Sequence, residues 1–133
     1  MLEKGWSPNL EIGDPVIWQR REFNQVADHL ANYTMDIKSD WYRDFGPLEI
    51  HQNEVVNYLC HSDGGTRADN CSAAAWCIEA VVTNGVLQRT VPVSMRGLFL
   101  KDPVSSFLAE SLALDDVLNH LWDLVLRRHQ YHS

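Results

Sequence analysis

Asp63, Glu110 and Asp28 are the residues of this sequence whose types and settings could do chemistry. Asp63 closes the apolar run VVNYLCHSD (55 to 63) and stands directly before Gly64-Gly65. An aspartate before glycine commonly makes an Asx-turn, so on its own it fits a turn as readily as a metal ligand. Glu110 is set among Phe107, Leu114, Val117 and Leu121 at helical steps, which puts it on an apolar face or at its edge. A buried carboxylate without a partner is costly, so Glu110 must be hydrogen-bonded, protonated, ion-paired, metal-bound or else reach solvent. Asp28 lies early in a helical segment between Ala27 and His29, where the helix dipole favours the ionised form.

These acids depend on the elements that carry them. PVIWQRREF (15 to 23) enters through a proline and reads as a strand; NQVADHLANYTMD (24 to 36) repeats Val26, Ala27, Leu30, Tyr33 and Thr34 at helical spacing, with Asn24 available as N-cap. Residues 37 to 54 mix charge, aromatics and Gly46-Pro47, and read as a loop packed on the body. The run 55 to 63 reads as a central strand ending at Asp63-Gly64-Gly65, followed by a turn through Thr66 to Asn70. SAAAWCIEAVVT (72 to 83), Asn84-Gly85 and VLQRTVPVSM (86 to 95) complete a three-stranded antiparallel meander, with Pro92 pushing the last strand towards an edge. From 104 to 129 no Gly or Pro interrupts a long helix that Ser105 or Ser106 could cap, with Phe107, Leu114, Val117, Leu121 and Leu124 on its apolar face. The fold class expected is α/β, more narrowly an α+β mixed sheet flanked by two main helices, in a single domain over 1 to 133. Segment 15 to 23 is expected as an added strand parallel to 55 to 63.

Composition sets the outer limits. A hydrophobic content of 45% supports one real core. Eleven Lys and Arg against 18 Asp and Glu give a formal charge of −7, which disfavours a surface built mainly for polyanions; a nucleic-acid partner needs a local basic patch or metal ions. No run approaches the length of a membrane span and the N-terminus has no signal pattern, so an intracellular, unprocessed protein is expected. Cys60, Cys71 and Cys77 form no C-x-x-C pair and suit buried thiols in a reducing compartment.

Three stretches together resemble the ribonuclease H family. SDGG (62 to 65), followed by SAAAWCIE, is similar to the family's first strands and first catalytic aspartate; AESLAL (109 to 114) is similar to the helix with the catalytic glutamate; RREFNQVADHLAN (20 to 32) is similar to the segment with the last catalytic aspartate. The resemblance covers roughly two thirds of the chain, with the third motif the most specific. It implies Asp63, Glu110 and Asp28 as catalytic metal ligands, two Mg²⁺ or Mn²⁺ ions, and hydrolysis of the RNA strand of RNA–DNA hybrids. Arg20, Arg21 and Arg67 then become the substrate-gripping residues.

The motif order differs from the family's. The segment with the last aspartate comes first here, as in a permuted domain or the junction of two units, and similar runs of motifs belong to retroelement-like reading frames. The family's further strand with a fourth acid has no counterpart before Ser133, since Asp115, Asp116 and Asp123 fall within the long helix. The metal pair is thus expected to be under-liganded, with Asp69 and Glu79 as fill-in acids and His29 and His61 nearby. The alternative expectation is a non-catalytic ribonuclease H-like module in a larger ribonucleoprotein or retroelement polyprotein, or a chain that completes its sheet as a homodimer.

Overall fold

The computed structural model describes residues 25–45, 54–83, 85–102 and 104–132. The expected strand 15 to 23, with Arg20 and Arg21, and the proposed cap Asn24 lie outside them. Within them the chain is α+β, with helix α1 (Gln25–Ile37), strands β1 (Trp41–Asp44), β2 (Glu54–Thr66), β3 (Ser72–Thr83) and β4 (Gln88–Leu100), and helix α2 (Ser106–His132). The strands form one antiparallel sheet in the order β1-β4-β3-β2.

Strand alternation gives the sheet two apolar faces, one for each helix. On one, Trp76, Ile78, Ala80 and Val82 of β3 join Tyr58 of β2, Val91 and Val93 of β4, and Val117 and Leu121 of α2. On the other, Met35 of α1 packs with Cys71, Ala73 and Phe99. α1 fits closely because Ala27, Ala31, Thr34 and Met35 form its buried side, and it ends where Lys38 takes a left-handed conformation at φ 53°. Asp40 then accepts a hydrogen bond from the Phe99 backbone N–H at 2.7 Å, which turns the chain onto β4.

The fourth strand is β1, in the stretch expected to be a loop. Charge and aromatics at 37 to 54 obscured an alternation that works: Trp41 faces α1 and donates its indole N–H to Thr34 Oγ1 at 2.8 Å, while Tyr42 takes the opposite face beside Trp76. Pro92 does not put β4 at an edge, since β1 and β3 flank residues 94–97. The proline is accommodated by the register shift opposite Ile78 and Glu79, which lets Val93 bulge and leaves Pro92 exposed.

β2 also continues past the expected stop. Asp63, Gly64 and Gly65 pair with Ala75, Ala74 and Ala73, and the turn comes at Arg67–Asn70, with Asn70 at φ 64°. Gly64 belongs in the strand because α2 crosses it there: an added β-carbon would overlap the main chain of Ala109 and Glu110. α2 is accordingly rotated from the expected face. Ala109, Ala113, Val117 and Leu121 form its buried spine, whereas Phe107 is 73% exposed, because only alanines allow the helix that close to the glycine.

Candidate functional site

The hairpin base fixes where α2 begins. Ser72, fully buried at the start of β3, has its hydroxyl 2.9 Å from Thr66 Oγ1, accepts the Val104 N–H at 3.1 Å and lies 3.3 Å from the Val104 carbonyl, which also accepts from Thr66. Ser105 then caps α2 by accepting the Leu108 N–H at 3.1 Å. One helical turn later the main chain of Ala109 and Glu110 lies on Gly64. The DGG and AESLAL stretches therefore touch, main chain to main chain, through residues far apart in sequence.

The three acids approach this point differently. Asp63 is half-buried and, one residue from Gly64, projects from the face that α1 covers; its ladder partner Ala75 is opposite Gly97, against which Thr34 and Trp41 pack. Glu110 is half-buried on the other face, three and seven residues before the buried Ala113 and Val117. Asp28 is exposed in the first turn of α1, and its carbonyl accepts from the Asn32 side chain at 3.0 Å. Among the described residues, no three His, Cys, Asp or Glu side chains form a group that could hold a metal ion.

Arg67 is engaged within the chain. Its guanidinium donates to Asp36 Oδ1 at 2.7 Å, to the Asn32 carbonyl at 3.1 Å and to Asn32 Oδ1 at 3.2 Å, and the Asp36 carboxylate raises its already high pKa. These bonds tie the end of β2 to the polar row Asp28, Asn32, Asp36 of α1. Asp69 is also used locally, accepting the Cys71 N–H at 3.2 Å to shape the turn. Glu79 pairs with His61, Oε1 to Nε2 at 3.0 Å, on the Asp63 side of β2; His61 is buried and its Nδ1 has no hydrogen-bond partner among the described residues. His29 is exposed on α1.

Sequence reasoning missed a second polar group. The buried Trp76 donates its indole N–H to Asp116 Oδ2 at 2.6 Å, and Arg96 and His120 close around the same carboxylate at 3.7 Å and 3.8 Å. Its one local sign is the four-residue spacing of Asp116 and His120; Trp76 and Arg96 reach it only through the sheet. The thiols lie deep: burial pushes Cys60 up to about 12, and burial with the nearby Glu79 carboxylate does the same to Cys77. All three cysteines are free.

No protein-family model matches the chain, and comparison with curated proteins and with solved structures finds no match. No described helix is long and apolar enough to cross a membrane.

Proposed function

We propose that the chain is a ribonuclease H-like domain that hydrolyses the RNA strand of RNA–DNA hybrids with divalent metal, through Asp63, Glu110 and Asp28. The observation that carries this reading is the seat of α2 on Gly64, which brings the main chain of Ala109 and Glu110 onto the residue that follows Asp63. The Arg67 contacts add to it by holding the end of β2 against the polar row of α1 that carries Asp28. The donor set suits Mg²⁺ or Mn²⁺, hard cations that prefer carboxylate oxygens. Among the described residues the three side chains form no metal-sized group, and Asp63 and Glu110 stand on opposite faces of the sheet, so a shared ion would require the start of α2 itself to shift at Gly64. A bound ion would supply an activated water and stabilise the leaving oxygen. The chain's own part is to hold carboxylates at the strand, and an Arg67 committed to α1 leaves substrate contact to other residues.

The placement of Asp63 and Glu110 on opposite faces of the sheet favours a second reading, a non-catalytic ribonuclease H-like module working as a structural or RNA-associated subunit. Hybrid cleavage separates the two. The nuclease reading expects Mn²⁺-dependent cutting of the RNA strand that Asp63→Asn lowers by at least about 100-fold with folding unchanged. An unmodified chain that leaves hybrids intact in Mn²⁺, yet binds RNA or a partner equally well with and without Asp63→Asn, establishes the module instead.

A further inference from the structure

The group around Asp116 defines the charge state of His120. His120 Nδ1 is 3.0 Å from the Asp116 backbone carbonyl, and a carbonyl only accepts, so Nδ1 carries the proton. His120 Nε2 is 3.4 Å from Arg96 Nη1, and a guanidinium only donates, so Nε2 must present its lone pair. The closed arrangement therefore requires a neutral imidazole. The ring also packs at 4.8 Å from Trp76 and 6.1 Å from Tyr42, so β1, β3, β4 and α2 all meet on it.

We propose that His120 is an acid-sensitive latch holding the middle of α2 on the sheet. A second proton would place an N–H on Nε2 facing the guanidinium of Arg96, which must then move away. The new cation would also attract the Asp116 carboxylate, now bonded to the Trp76 indole N–H. Each element packed on His120 presents a different group: Arg96 from β4 opposes its protonation, Asp116 from α2 favours it, and Tyr42 from β1 and Trp76 from β3 bring no charge near neutral pH. Ser62 of β2, the ladder partner of Trp76, is uncharged. Glu110 rides on the same helix, about 9 Å before Asp116, so opening the latch loosens the helix that brings this acid to Gly64.

The test follows the Trp76 indole N–H and the His120 ring by nitrogen-15 NMR between about pH 8 and pH 5, where imidazoles titrate. The expected result is the Nδ1–H tautomer at the alkaline end and a one-proton transition shared by both residues. His120→Gln should abolish the Trp76 transition. Arg96→Gln, by removing the like charge, should raise the proton affinity of His120 by about threefold or more. The latch is overturned by the Nε2–H tautomer in the unmodified chain, by an unchanged midpoint in Arg96→Gln, or by a Trp76 transition that persists in His120→Gln. The tautomer and the Arg96 variant decide the matter even if His120→Gln does not fold, and neither depends on nuclease activity.

Discussion

At Gly64 the absence of a side chain sets the geometry of the candidate site. A methyl there would occupy the space of the Ala109 and Glu110 main chain, and backbone, unlike the end of a flexible side chain, cannot swing aside. Gly64→Ala is therefore expected to displace α2 and destabilise the chain by about 1–3 kcal/mol, read from urea unfolding. Gly65→Ala is the control: its new methyl would meet only Met35 Cε at 3.9 Å, an ordinary contact, so the penalty should be clearly smaller. Equal penalties for the two would mean that the helix does not rest on Gly64. Asp63 and Glu110 stand out in the sequence because apolar residues surround them, although Phe107, one of those that marked Glu110, turns to solvent. The reason for the glycines was not, because Asp-Gly-Gly signals a turn locally and only the crossing of a distant helix makes it a strand.

Elements are held in register here by single hydroxyls. Ser72 is fully buried and accepts the Val104 N–H, so Ser72→Ala strands a backbone donor as well as removing the link to Thr66. The expected loss is about 1–3 kcal/mol. Ser105→Ala removes only the cap on the Leu108 N–H, at a cost of about 1 kcal/mol. Denaturant midpoints should thus rank Ser72→Ala below Ser105→Ala; the reverse order would show that Ser72 does not anchor the start of α2. Local signals predicted both helices and the three long strands: apolar repeats for the helices, and apolar β-rich runs with the Asn84-Gly85 turn for the strands. It failed on β1, whose few residues gain strand character from pairing with residues 94–97 of β4 and from the Trp41 bond to Thr34.

For the molecule as a whole, the two layers either open together or separately, and two thiols can tell which. Cys60 borders the core beneath α2, whereas Cys77, the ladder partner of His61, is on the sheet face that α1 covers, so each reports on a different layer. Burial holds both near 12 against an ordinary value of 9.0, so the native state keeps its protons where the unfolded chain loses them. The stability associated with the neutral thiols is fully present below pH 9 and is lost as pH rises towards 12, because there the unfolded state binds fewer protons. Each thiol steepens the fall by up to about 1.4 kcal/mol per pH unit, and Cys77→Ala should make it shallower. Labelling with a thiol reagent at pH 8 in low urea then compares the layers under native conditions. A sheet that joins both cores through β3 predicts equal protection of Cys60 and Cys77, with both rates following global unfolding. If Cys77 reacts well before Cys60, α1 lifts away on its own, and the polar row holding Asp28 belongs to a separately opening layer.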